Sequence, residues 1–329
     1  MVRSMVPTLS AALQYGGLVS ARPAFAVRRT RLWRFAAAFA VLLGLAGYLL
    51  VQYITGGPGA PHCTVRAEGD EEAYELSPEQ AANAATISAV ASSRGLPERA
   101  VTIALATAMQ ESGLHNIEFG DRDSVGLFQQ RPSQDWGTVR QIMDPVYSAG
   151  EFYRHLAKVP GYSRLPLTVA AQRVQRSGYP QAYAKHEANA ARLTGALTGR
   201  DPGAMTCTES RPEDSRAGGA AAVREKLVRE FGAGVLPRTD AAGGRGAGGN
   251  RGVTVPVGQG GQAAAPGSEG ARRGWELATW AMAHSAELRI EQISYAGRTW
   301  TADDAGKGWQ NRPGGSAADG RDVRIITAQ

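Results

Sequence analysis

The chain has 329 residues, 43% of them hydrophobic, with 41 glycines and a formal net charge of +6. That is enough for two modest domains of about 100–200 residues each. The charge does not mark a nucleic-acid binder, because the arginines are dispersed outside an N-terminal cluster and no recognition helix or stacking motif accompanies them.

Residues 1–34 read as a short cytoplasmic tail. Phe35 to Ile54, "FAAAFAVLLGLAGYLLVQYI", follow as twenty residues with Gln52 the one strongly polar member. At 1.5 Å per residue that length spans a hydrocarbon core of about 30 Å, so a transmembrane helix is predicted over 35–54. Arg28, Arg29, Arg31 and Arg34 precede it, and the next positive residue is Arg66. The positive-inside rule then places the N-terminus in the cytoplasm and the C-terminal domains outside, with the chain anchored in the cytoplasmic membrane. A cleaved signal peptide is the competing reading; the long apolar run and the lack of a small-x-small cleavage site disfavour it.

After a linker over 55–72 come Cys63 and Cys207, the two cysteines of the chain; Cys63 falls within the linker. Both fall on the predicted outer side, where disulfides persist, and they bracket one segment, so a bridge is expected; two unrelated buried thiols are the alternative. No CxxC or Cys/His spacing suggests a zinc site, and no cofactor is implied.

The bracketed segment, 73–207, reads as a mainly α domain. Ser77-Pro78-Glu79-Gln80 supplies an N-cap, a first-position proline and a capping-box glutamine. Ala84, Ile87, Val90 and Ala91 continue one helix face until Gly95, a C′ candidate. Pro97 opens the next helix, whose apolar stripe runs through Val101, Leu105 and Ala108. Glu111 lies on that same stripe. A carboxylate there loses hydration, which disfavours its charged form, and a protonated glutamate can act as a general acid on a glycosidic oxygen. A glutamate at a helix end can equally bond a neighbouring loop's amides.

Glu111-Ser112-Gly113 followed by Gly126-Leu127-Phe128-Gln129 resembles the signature of the lytic transglycosylases and goose-type lysozymes. The resemblance covers roughly Ala73 to Leu197 and includes a helix opened by Asp144-Pro145. It implies a lysozyme-like fold with a groove for peptidoglycan glycan strands and Glu111 as the acid/base residue. Ser124, Gly126, Phe128 and Gln129 would then shape the groove. Trp136 and Phe128 are candidate sugar-stacking rings, with a core role equally open. The family's third element, Ala-Tyr-Asn, is missing: Gln172 and Arg173 stand in its place. Tyr179 and Tyr183 are the candidates to reach the site instead. Asp121 and Asp123 could hold a water for hydrolysis or serve as solvated loop acids. His115, His155 and His186 lack ligand spacing.

After a linker over 208–218, residues 219–329 form a small α+β module, with a glycine-rich, linker-like insertion over 241–270. "AAAVREKLVREFGAGV" and "GWELATWAMAHSAELRI" read as amphipathic helices. "IEQISYAGRTWTA" reads as a hairpin around Ala296-Gly297, and "DVRIITA" as a last strand. The module resembles the zinc D-Ala-D-Ala carboxypeptidase-like domains of actinobacterial envelope proteins but lacks their zinc ligands. Trp275, Trp280, Trp300 and Trp309 are expected to form a core.

The expected function is a membrane-anchored lytic transglycosylase that cleaves the bond between N-acetylmuramic acid and N-acetylglucosamine. The alternatives are a non-catalytic glycan-binding or scaffold protein of the cell envelope, and a lysozyme-type hydrolase using Asp121 or Asp123. A wall-opening role beside a secretion or conjugation machine is a further option for partners.

Overall fold

The computed structural model describes residues 34–35, 37–48, 60–67, 69, 72–208, 218–237, 251–257, 263–312 and 320–328. Among them, no helix is long and apolar enough to cross a membrane. This overturns the anchor expected over 35–54, and with it the single-pass placement that had the N-terminus in the cytoplasm and the later domains outside. Among the described residues the helix in this region runs over 37–48, about 18 Å at 1.5 Å per residue, where a span needs roughly 30 Å. Residues 36 and 49–54 of that span lie outside the described residues, as do residues 1–33 of the expected 1–34 tail, with Arg28, Arg29 and Arg31 among them, and linker residues 55–59 and 209–217.

From residue 60 onward the described residues belong to one compact unit. It opens with β1 (Cys63–Val65), which lies inside the stretch read as linker, and β2 (Tyr74–Leu76). β3 (Met205–Cys207) returns beside β1, giving a small antiparallel sheet in the order β2-β1-β3. Cys63 faces Cys207 across that ladder and the two are disulfide-bonded. The bridge closes a loop with a sequence separation of 144, for which chain entropy gives about 5 kcal/mol. The double variant Cys63→Ser/Cys207→Ser is expected to melt well below wild type. An unchanged melting temperature would assign the ends of this half to the β ladder alone.

Helices fill the interval. α1 (Pro78–Ser93) starts on the capping box, with Ser77 and Gln80 satisfying each other's backbone amides. Gly95, at φ 63°, follows its end as expected. α2 (Glu98–Ser112) is capped at its C-terminus by left-handed Gly113. The short α3 (Val139–Ile142) leads to α4 (Pro145–Leu156), where the Asp144 side chain accepts from the Val146 amide. α5 (Leu167–Gln175) and α6 (Glu187–Leu197) complete the helical half. α2 is buried between α1, α4, α5 and α6, which is why its residues from Ala100 to Met109 are buried without a break.

The C-terminal half adds α7 (Ala220–Phe231), α8 (Glu269–Ala283) and the short α9 (Ser285–Leu288). Its antiparallel sheet has the order β4-β8-β5-β6-β7, with β4 (Gly252–Pro256), β5 (Ile290–Tyr295), β6 (Arg298–Thr301), β7 (Gln310–Asn311) and β8 (Asp322–Thr327). β4 sits within the glycine-rich stretch read as linker. Val253 and Val255 alternate with Thr254, bury their side chains and pair with β8, which outweighs the flanking glycines. The expected hairpin forms, with positive φ at both Ala296 and Gly297.

α8 touches the sheet on one side and α1 and α6 on the other, so one continuous core runs through both halves. Trp275, Trp280 and Trp300 are buried in it, and Trp309 packs against it. At the junction the approach is tight: a Cβ on Gly199 (φ 69°) would lie 2.0 Å from the Arg272 carbonyl oxygen. Only glycine fits there.

Candidate functional site

Glu111 occupies the last turn of α2 and is half-buried. The chain leaves the helix through Gly113 at φ 64° and Leu114 at φ 66°. Two α1 side chains satisfy the carbonyls released there: Gln80 Nε2 donates to Gly113 O and Asn83 Nδ2 to Leu114 O, both at 2.8 Å. A helix end whose carbonyls are so satisfied is a fixed platform.

The turn carrying Gly126-Leu127-Phe128-Gln129 is closed by reciprocal backbone bonds between Val125 and Gln130, at 3.0 and 3.1 Å. Gly126 sits at φ 78°, and a Cβ there would lie 2.9 Å from Ile142 O, so the position admits glycine alone. Ser112 Oγ donates to Leu127 O at 2.8 Å, joining the helix end directly to the turn. This gives the Glu-Ser pair a physical meaning, since the serine fixes the turn beside the glutamate. From α5, Gln175 Nε2 donates to Phe128 O at 2.8 Å. Nothing in the sequence motifs singled out Gln175; a lone glutamine at a helix end carries no readable signal.

The decisive contact comes from the loop before α6. Tyr183 buries its ring completely and its hydroxyl donates to Glu111 Oε1 at 2.7 Å. Burial first, then the Glu111 charge, holds the Tyr183 phenol well above its usual range, so it stays protonated and remains a donor. Tyr179, the other candidate, is 79% exposed.

The remaining predicted residues separate clearly. Ser124 is buried just before the turn, and Gln129, at φ 48°, folds its amide back to Gly126 O at 3.2 Å. Phe128 corrects one expectation: it is fully buried and stacks on Phe152 with centroids 4.7 Å apart, so it is core and not a sugar platform. Trp136 is partly buried and stacks on His155 at 4.2 Å. Asp121 is almost fully exposed. Asp123 accepts from Arg131 Nε and from the Ser133 amide, each at 2.8 Å. The Arg131 and Ser133 hydrogen bonds hold its carboxyl well below the usual range. Gln172 donates to Ser177 O at 2.8 Å, bracing the loop that carries Tyr183. His115 pairs with Glu79 and His186 with Gln110, at 3.0 and 3.2 Å. Among the described residues no group of three or more His, Cys, Asp or Glu could hold a metal ion.

Outside this site, a family model described as VldE, C-terminal domain, matches residues 217–320. No curated protein matches the chain. The matched stretch holds α7, α8 and most of the five-stranded sheet, and leaves out the helices that carry Glu111 and Tyr183.

Proposed function

We propose that the helical half is a peptidoglycan lytic transglycosylase that cleaves the bond between N-acetylmuramic acid and N-acetylglucosamine, with Glu111 as its acid and base. The observation that carries this reading is the Tyr183 hydroxyl on Glu111 at the end of α2. It supplies the tyrosine that the missing Ala-Tyr-Asn element would have brought, from a different point in the chain. With Oε1 accepting from Tyr183, the catalytic proton belongs on Oε2, facing the sugar. Glu111 gives that proton to the glycosidic oxygen as the bond from muramoyl C1 breaks. The resulting carboxylate then takes the proton of the muramoyl C6 hydroxyl as its oxygen bonds to C1. The products are a 1,6-anhydro end and a free 4-hydroxyl on N-acetylglucosamine.

Most glycosidases need a second carboxyl group across the bond. Asp123 is committed to Arg131 and Ser133, and Asp121 is a solvated loop acid. Both placements favour the one-carboxylate route over a lysozyme-type hydrolase. Mass spectrometry of peptidoglycan digested by the full chain tests the assignment, with anhydromuramic ends expected to dominate. Asp121→Asn and Asp123→Asn should each retain that product and most of the rate. Reducing ends, together with collapse of either variant, would establish the hydrolase instead. No cleavage of several peptidoglycans by wild type would leave a glycan-binding protein.

A further inference from the structure

Where the two halves meet, a cleft of about 230 Å³ opens between Pro202 of the helical half and Ala264, Pro266, Trp275, Tyr295 and Arg298 of the C-terminal half. We propose that this cleft binds a small organic monoanion, a carboxylate with an apolar body about the size of a leucine side chain.

The anion's partner is Arg298. It is exposed, and among the described residues it has neither an ion-pair nor a side-chain hydrogen-bond partner. Its guanidinium is nevertheless held in place. The guanidinium carbon lies 5.6 Å from the Trp275 ring centroid, and Nη1 packs so close to Gly203 that a Cβ there would come within 2.9 Å. A fixed guanidinium with its donors unused is suited to a carboxylate, because little rotamer entropy remains to be lost on binding.

The surrounding charges set the ligand's own charge. Arg272 and Arg200 both bond Glu98, and Arg200 also pairs with Asp201 at 3.3 Å. Of the two charged residues that line the cleft, Arg272 is paired with Glu98 and Arg298 has no carboxylate partner among the described residues, which leaves one uncompensated cation at the cleft wall. A monoanion neutralises it, whereas a phosphate dianion would remain under-compensated. Tyr295 adds no charge: burial pushes its phenol up to about 12, and its hydroxyl donates to Ala271 O at 3.3 Å. The other walls are proline, alanine and tryptophan carbon, which calls for an apolar body and not a second polar group. The neighbouring notch that shares Tyr295 and Arg298 measures about 20 Å³, room for water only.

Titration calorimetry of the full chain with N-acetyl-leucine, its C-terminal amide and inorganic phosphate tests this. The acid should bind with a dissociation constant on the order of 1 mM, and the amide at least about tenfold more weakly. Arg298→Gln should abolish binding of the acid, Arg298→Lys should retain part of it, and Ala264→Phe should block the slot. The acid–amide comparison on wild type stands even if a variant folds poorly. Equal binding of acid and amide would overturn the proposal. So would tighter binding of phosphate, no binding of any probe, or unchanged binding in a folded Arg298→Gln protein.

Discussion

Glu111→Gln should abolish glycosidic cleavage while leaving the melting temperature near that of wild type. The amide keeps the side chain's size and still accepts from Tyr183, so the local packing survives. It has no proton acidic enough for a leaving oxygen and no basicity to take one back. General acid catalysis is worth roughly 10²–10⁴-fold, and a residue that serves as both acid and base loses both contributions at once. Tyr183→Phe separates positioning from chemistry. Removing one hydroxyl leaves the ring buried and Glu111 present, so a partial loss of rate is expected. A positioning role should lower kcat with KM unchanged, whereas a rise in KM alone would make the tyrosine part of the groove wall. Equal cleavage by Glu111→Gln and wild type would remove Glu111 from the chemistry.

The parts of this site that were legible in the sequence are those set by local rules. Ser77 and Gln80 announce the start of α1 because capping-box geometry needs those side chains three residues apart. Glu111-Ser112 and Gly126 stood out through the family resemblance, and the structure adds a local reason for two of them: Ser112 bonds the turn at Leu127 and Gly126 holds a positive φ. What was not legible depends on distant packing. Tyr183 lies 72 residues from Glu111, and nothing nearby distinguished it from Tyr179. Phe128 could have been wall or core, and only the Phe152 ring beneath it decides. β1 and β3 are three residues each, too short to show a period, and the disulfide between them was the visible sign of their pairing. The apolar run after residue 35 illustrates the opposite failure. Composition over twenty positions was read as one helix, yet among the described residues no helix is long and apolar enough to cross a membrane.

Glu230 shows a signal that could have been used. It lies seven positions after Val223 and three after Leu227, on the buried stripe of α7, and is itself 2% exposed. Its oxygens accept from Trp280 Nε1 at 2.6 Å and from Thr86 Oγ1 of α1 at 3.0 Å, so it joins the two halves. Lys226 Nζ lies 3.4 Å away, and His284 Nε2 stands at 3.6 Å, an ion-pair separation rather than a hydrogen bond. His284 Nδ1 meets Glu287 at 3.1 Å, and Glu287 also pairs with Lys226. Two carboxylates and two cations balance only while His284 is protonated.

Removing one member should therefore cost more than removing two. Glu230→Ala leaves a buried imidazolium and the Trp280 and Thr86 donors unpaired, and should lose about 3–5 kcal/mol in urea unfolding. The paired change Glu230→Leu/His284→Leu should recover part of that, because no isolated charge is left inside. The pH dependence has a definite sign. Burial pulls the His284 imidazolium down, but the Glu230 charge outweighs it and raises His284 above its usual range. Its contribution is then complete below about pH 6.5 and lost as pH rises through the raised value. Burial opposes ionisation of Glu230 and Glu287, but the His284 interactions dominate and lower both, Glu287 to about 2. Their contribution is present above about pH 4.5 and lost as pH falls below it through the lowered values. Unfolding free energy should thus peak between about pH 4.5 and 6.5, and His284→Gln should flatten the alkaline side of the curve. A wild-type curve flat from there to pH 9 would mean that Glu230 is held by Thr86, Trp280 and Lys226 alone, with His284 a neutral spectator.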